Sequence, residues 1–205
     1  MFITSKILAI HQGRCAPVES TSKKELIRQE ADYHMSYVHN SQDDINLTIT
    51  DNILIPAAGI DESNGNGYYI MWPKDTDALC REIRARLLEK NKISNLGIVS
   101  TDSHTTPLRW GVTGITTGIA GIVPLKDVRG EKDLFGREMH LTQVNVIDPL
   151  ASMAVLLMGE CSECTPIVIL RGYKKIEFSE NASMIDFKIP PHVDLYQPLL
   201  KVFTK

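Results

Sequence analysis

Three apolar runs in this 205-residue chain each end in a short oxygen-rich turn, and that arrangement limits the folds open to it. The turns are Gly59-Ile60-Asp61-Glu62-Ser63-Asn64, Thr101-Asp102-Ser103-His104 and Met158-Gly159-Glu160. An apolar run is driven out of water, so each marks a core element and sets a carboxylate at the rim of the core. Hard divalent cations prefer such oxygen-only surroundings, and phosphate chemistry in turn prefers those cations. A basic, glycine-rich segment separates the second turn from the third. Together these features suggest a metal-nucleotide site.

Bulk properties remove several alternatives. The chain is 43% hydrophobic and 23% charged, which suits a globular protein with ample core. A formal net charge of −3 argues against nucleic acid as the main partner, because phosphate backbones select basic surfaces. No apolar run approaches the roughly 18 residues of a membrane span. The start, Met1-Phe2-Ile3-Thr4-Ser5-Lys6-Ile7-Leu8-Ala9-Ile10, has neither a basic leader nor a small-residue cleavage site and reads as a strand. Cys15, Cys80, Cys161 and Cys164 are too few and too scattered for a disulfide scaffold, which makes the cytoplasm the default compartment.

Periodicity predicts a helix over residues 22–35, with Leu26, Ile27, Ala31 and Met35 near one face. Residues 45–58 read as one or two strands through Ile53-Leu54-Ile55, residues 61–67 as a loop, and residues 68–72 as a strand halted by Pro73. Residues 75–90 form the best amphipathic helix, capped by Asp75 or Thr76, with Leu79, Ile83 and Leu87 on one face. Residues 96–100 and 166–170 read as strands. A second clear helix spans 147–159, with Asp148 at its N-cap, Pro149 at the first helical position and Gly159 just past its end. The last thirty or so residues look like an irregular tail with one strand. Helices and strands do not alternate regularly, so the fold class is α+β.

Asp61 and Asn64 sit three residues apart in a turn, where both oxygens can face one point. Asp102 and Ser103 are adjacent at a strand end, and Glu160 projects just beyond a helix terminus. If they converge, Asp61, Asp102 and Glu160 supply three negative charges for one or two divalent ions against phosphates. Taken singly, an Asp or Asn in a turn is more often satisfied by its own backbone, and composition alone does not decide between these readings. Arg109 opens a stretch with Gly111, Gly114, Gly118 and Gly121, which fits neither the phosphate-loop nor the dinucleotide pattern. Close packing of strands explains those glycines more simply, while Arg109 at the mouth suits an anion. Lys126, Arg129, Lys132 and Arg137, interleaved with acids, read mostly as a solvated surface, although residues 133–138 could present Arg137 as a second anion-binding arginine. Cys161-Ser162-Glu163-Cys164 lacks the second ligand pair of a zinc site and the context of a redox motif.

In order and spacing, four motifs resemble the coenzyme F-420:L-glutamate ligase family: Gly59-Ile60-Asp61 with Ser63-Asn64, Thr101-Asp102-Ser103, Asp133-Leu134-Phe135-Gly136-Arg137-Glu138, and Leu156-Leu157-Met158-Gly159-Glu160. The resemblance runs over about four-fifths of the chain. It implies a ligase domain over residues 1–172, with residues 173–205 as a tail packing on it. The implied fold is α+β, with intertwined mixed and antiparallel sheets, a few helices and a homodimer. The implied activity is a γ-glutamyl ligase that uses GTP or ATP and two Mn²⁺ or Mg²⁺ ions, passes through an acyl phosphate, and needs no protein nucleophile. Asp61 and Asp102 would bind one ion, and Ser103 and Glu160 the other. Ser5, Lys6, Asn64, Met158 and Gly159 would contact the nucleotide, with Arg109 as a clamp for a carboxylate or phosphate. Family members usually carry a further strand and helix, with nucleotide contacts, before the strand that begins here at Met1. The acceptor of L-glutamate would be a pterin or a deazaflavin acid, and Glu163-Cys164-Thr165-Pro166 resembles the folate branch more than the deazaflavin branch. Other classes consistent with the residues are a fold-retaining binding or assembly protein and a metal phosphohydrolase.

Overall fold

A computed structural model describes residues 1–35 and 46–205. In chain order the elements are β1 (Phe2–Thr4), α1 (Ser5–His11), β2 (Cys15–Pro17), α2 (Lys23–Glu30), β3 (Tyr33–Met35), β4 (Leu47–Thr50), β5 (Ile53–Pro56) and β6 (Tyr68–Ile70). They continue with α3 (Thr76–Asn91), β7 (Ile98–Thr105), β8 (Val112–Ala120), β9 (Leu125–Asp127), β10 (Gln143–Asn145), α4 (Ile147–Met158), β11 (Ile167–Val168), α5 (Gln197–Leu200) and β12 (Phe203–Thr204). The architecture is the expected α+β mixture. Ile45, the first residue of the predicted 45–58 segment, lies outside the described residues. No helix among the described residues is long and apolar enough to cross a membrane. The chain divides into two compact units, and the residues after 172 are shared between them.

The first unit comprises Met1–Thr4, Asp75–Ser103 and Gly114–Phe187. Its sheet has the strand order β11-β1-β7-β8. β1 runs parallel to β7, with Phe2 opposite Val99, Ile3 opposite Ser100 and Thr4 opposite Thr101. Phe2, Val99, Ile119, Ile122, Ile147, Ala154 and Met158 form the core, joined by Ala182 and Met184 from the segment after residue 172. The glycines of β8 admit helices rather than neighbouring strands. A Cβ at Gly114 would lie 2.5 Å from the Ala151 carbonyl of α4, and one at Gly118 would lie 2.5 Å from the Thr76 side chain of α3. Close packing is thus the correct reading at Gly114 and Gly118, with the partner corrected from strand to helix, whereas Gly111 meets open space.

Helix α4 starts where the sequence suggests, but its cap differs. Asn145, not Asp148, accepts from a first-turn amide: the Asp148 N–H donates to Asn145 Oδ1 at 3.0 Å. Asp148 sits inside the first turn and uses its carboxylate to accept from Asn145 Nδ2 (2.8 Å) and the Thr116 amide (3.0 Å). Asp77 does similar work in α3, accepting from the Ile119 amide, the Ser183 hydroxyl and the Met184 amide at 2.8–2.9 Å. A half-buried carboxylate stapling three separate segments is invisible to helical periodicity.

The second unit comprises Ser5–Lys74, His104–Thr113 and Lys188–Lys205. It holds a sheet of order β12-β3-β4-β5 and a β2-β6 pair. The predicted 22–35 helix is shorter than expected. Ser22 caps it by accepting from the Glu25 amide (3.2 Å), but it stops at Glu30, and Tyr33–Met35 becomes a strand. The reason is non-local: Tyr33 pairs with Ile49 and His34 with Thr48, while Asp32 accepts from the Asp51 amide at 2.6 Å. The predicted N-terminal strand is also shortened. Its pairing ends at Thr4, and Ser5 to His11 coil so that Leu8 and Ala9 are buried. In the last eighteen residues, β12 joins the edge of β3, and Lys188 and Ile189 are tied to Asp51 and Asn52.

Candidate metal and nucleotide site

Asp61 lies in the second unit after a strained lead-in. Ala57, Ala58 and Gly59 have φ of 54°, 53° and 71°, three consecutive residues in the left-handed region. For a residue with a Cβ that region costs about 1–2 kcal/mol, so neighbours must hold the two alanines there. The Ala57 amide donates to the Asn46 carbonyl (2.8 Å) and the Ala58 amide to Thr48 Oγ1 (3.0 Å). The Thr48 hydroxyl in turn donates to the Ile55 carbonyl at 2.7 Å. The Trp72 indole lies against the Cα of Gly59, where any Cβ would come within 2.4 Å of it. Ala58 is 1% exposed and packs with Leu26, Ile27 and Ile60.

The chain then emerges at Asp61, which bridges Ile70 in antiparallel fashion through bonds of 3.0 and 2.8 Å. Its carboxylate is surrounded by donors. Lys6, on the first turn of α1, donates to Oδ2 at 2.6 Å and to the Ser63 carbonyl at 2.9 Å. The Ser63 hydroxyl donates to Oδ2 at 2.7 Å and the Ser63 amide to Oδ1 at 2.8 Å. Burial pushes the Asp61 carboxyl up, but the bonds from Lys6 and Ser63, with the Lys6 charge, outweigh it and hold the group below its ordinary range. Asp61 is therefore fixed and ionised. Asn64 follows at φ 55°, exposed on the same turn.

In the first unit, three elements meet at one corner. Thr4 ends β1, Thr101 lies opposite it in β7, and the Thr101 hydroxyl packs 3.8 Å from Met158 Sδ at the end of α4. The Thr4 amide is bonded to the Pro166 carbonyl at 3.0 Å. Asp102 and Ser103 leave this corner along β7, and Gly159 and Glu160 leave it from α4. One expectation changes here: Thr101-Asp102-Ser103-His104 is not a turn but the continuation of β7 as far as Thr105. The Asp102 carboxylate accepts from the Ser103 amide at 2.8 Å. Gly159 closes α4 at φ 79° with its amide on the Val155 carbonyl (3.0 Å), and the Glu163 side chain folds over it. Glu160 is exposed beyond it.

Arg109 lies in the second unit on the loop before β8, exposed, with its guanidinium on the neighbouring Leu108 carbonyl at 3.0 Å. Ser5 is buried at the start of α1. Among the described residues, neither unit brings three or more His, Cys, Asp or Glu side chains together as a ready-made cation site. The donors themselves still fit Mg²⁺ or Mn²⁺, being hard oxygens with an ionised Asp61 among them. Such ions commonly use one or two carboxylates and complete their shell with water and phosphate. Two contributors escaped the sequence reading. Ser63 was legible in principle, since a hydroxyl two residues after an Asp suits an Asx-type turn. Thr48 was not, because nothing local marks it.

With that geometry in place, comparison with known proteins assigns the class. A family model for F420-0:gamma-glutamyl ligase matches residues 1–172, and the chain belongs to that family. Among curated relatives, the coenzyme F420:L-glutamate ligase of Methanopyrus kandleri is 42% identical over 151 residues, 73% of this chain and 58% of that protein. That of Methanocaldococcus jannaschii is 44% identical over 115 residues, 56% of this chain and 46% of that protein. That of Methanothermobacter thermautotrophicus is 36% identical over 141 residues, 68% of this chain and 56% of that protein. The chain thus spans about half the length of the curated relatives it matches.

Proposed function

We propose that this chain is a γ-glutamyl ligase that adds L-glutamate to a deazaflavin acid of the F420 type, using a nucleoside triphosphate and divalent metal in the cytoplasm. The observation that carries the reading is the Lys6–Asp61–Ser63 cluster, inside the segment matched by the family model. An ionised, immobilised carboxylate beside a lysine suits a metal-bound triphosphate. Asp61 and Asp102 would hold one ion, and Ser103 and Glu160 a second. When bound, such ions neutralise charge on a transferring phosphoryl group.

The protein's own groups bind and orient. Lys6, anchored at Asp61, would meet a phosphate oxygen. Ser5 and Asn64, with the Met158-Gly159 end of α4, would line the nucleotide. Arg109 offers a forked guanidinium to a carboxylate or phosphate. The acceptor carboxylate attacks the γ-phosphorus and the nucleoside diphosphate leaves. The glutamate amine then attacks the acyl carbon, losing a proton, and inorganic phosphate departs as the amide forms.

Two further parts of the reading rest on separate observations. The relatives carry the coenzyme F420 name, which favours the deazaflavin acceptor over the pterin suggested by Glu163-Cys164-Thr165-Pro166. A homodimer is supported by large apolar side chains left in water: Leu108 and Trp110 in the second unit, and Leu134, Phe135 and Leu141 on the β9–β10 arm of the first. Exposure of 104% at Trp110 and 92% at Phe135 is costly unless a partner covers them. Purified protein with Mn²⁺, GTP, L-glutamate and either acceptor, followed by mass spectrometry, tests the activity. The expected product is a glutamyl adduct of the deazaflavin acid. An adduct of the pterin acid alone reverses the acceptor. Phosphate release indifferent to glutamate and acceptor makes the protein a phosphohydrolase, and no turnover makes it a binding protein that kept the fold.

A further inference from the structure

We propose that Thr48 is a positioning residue for Asp61, acting through the left-handed segment that delivers it. The segment is unusual because the two residues that need glycine's freedom are alanines. Relaxation of Ala57 or Ala58 to an extended or right-handed conformation would rotate the chain entering Ile60 and Asp61. Asp61 could not then keep both its backbone bridge to Ile70 and its carboxylate on Lys6 and Ser63. What opposes relaxation at Ala58 is the Thr48 hydroxyl. It is 0% exposed, and it accepts from the Ala58 amide while donating to the Ile55 carbonyl. The hydroxyl thus ties the paired strand β5, at Ile55, to the turn that follows it, at Ala58. Its methyl and Cα fill space on β4 as a valine would, so the hydroxyl's distinct contribution is conformational.

The left-handed backbone ends two residues before a carboxylate read as a metal ligand, where a change of direction would matter most. This positioning role rests on the proposed function, since it presumes that Asp61 binds the ion. Loss of a group that orients a ligand typically weakens metal binding by about 10–100-fold.

The test is Mn²⁺ binding to the full chain without nucleotide, measured by calorimetry alongside thermal unfolding. Thr48→Val is expected to weaken Mn²⁺ binding by about tenfold, while Thr48→Ser, which keeps the hydroxyl, restores it. Adding Ala58→Gly to Thr48→Val recovers part of the loss, because glycine enters the left-handed region without penalty at the residue the hydroxyl holds. Ile53→Val, a core change in neighbouring β5, lowers thermal stability but leaves Mn²⁺ binding unchanged. If Thr48→Val binds Mn²⁺ like the parent while Asp61→Asn does not, the positioning role is wrong and the functional reading stands. If Asp61→Asn also binds normally, the functional reading fails and takes this role with it. Equal weakening by Ile53→Val assigns the effect to general destabilisation and overturns the proposal. Should Thr48→Val not fold, Gly59→Ala perturbs the same segment from the Trp72 side, and unchanged Mn²⁺ binding there is equally fatal.

Discussion

Asp61 and Asp102 are held by opposite means. Asp102 sits on a regular strand whose direction is set by backbone register, Thr4 against Thr101, over a core of Phe2, Val99 and Ile119. Asp61 follows a segment bent against its own conformational preference and clamped by side chains: Thr48 and Trp72 before it, Lys6 and Ser63 around it. A carboxylate on a strand inherits its direction from hydrophobic packing. A carboxylate on a strained turn needs specific polar partners. The first arrangement should therefore be sensitive to volume, and the second to hydroxyls, charge and backbone freedom.

Volume gives the largest expected effect. Ile119 is fully buried in the first unit, so Ile119→Ala should cost about 2–5 kcal/mol in denaturant unfolding. A cost no greater than that of a surface change would break the claim that packing holds this region.

The same glycine-to-alanine change should act for different reasons in the two units. Gly114→Ala drives a methyl into the backbone of α4 and should cost about 1–3 kcal/mol through overpacking. Gly67→Ala meets open space but demands φ of 87°, so its cost is conformational, about 1–2 kcal/mol. Because the obstructing atoms are α4 backbone, trimming the facing side chain with Ser152→Gly should not soften the first penalty, and it also removes the Ser152 hydroxyl bond to the Gly114 carbonyl. Melting temperatures of the single and double variants decide this.

The smallest effect is electrostatic. Asp61 has a depressed folded-state pKa, so its pairing with Lys6 stabilises the protein above the ordinary Asp range near pH ~4. That contribution is lost as pH falls through the folded-state value. The Asp61 side chain is 45% exposed, so screening keeps the contribution below about 1 kcal/mol. Lys6→Met should remove it, lowering stability slightly at neutral pH and flattening the acid limb of a stability-against-pH curve. An unchanged acid limb would mean that Lys6 does not hold the carboxylate in solution.

Much of this arrangement was legible in the sequence where the signal is local. Helices α3 and α4 stand almost where periodicity and flanking residues put them, and Gly159 does end α4. The Gly114 and Gly118 spacing correctly announced close approach, but not that helices are the partners. The misreadings share one cause. Residues 5–10 look like a strand, 33–35 like helix and 101–104 like a turn, but the pairing of β1 with β7 stops at Thr4, β4 claims 33–35, and β7 carries 101–104 within the sheet between β1 and β8.

The sequence by itself determined the α+β class, the two main helices and the family, because hydrophobic period and motif order are written along the chain. Only the tertiary structure decided that Lys6 meets Asp61 across 55 residues, and that two alanines are held left-handed by a threonine from another strand. The physical reason is that strain and a fixed, partly exposed charge persist only when distant groups satisfy them, and no local pattern records which distant group that is.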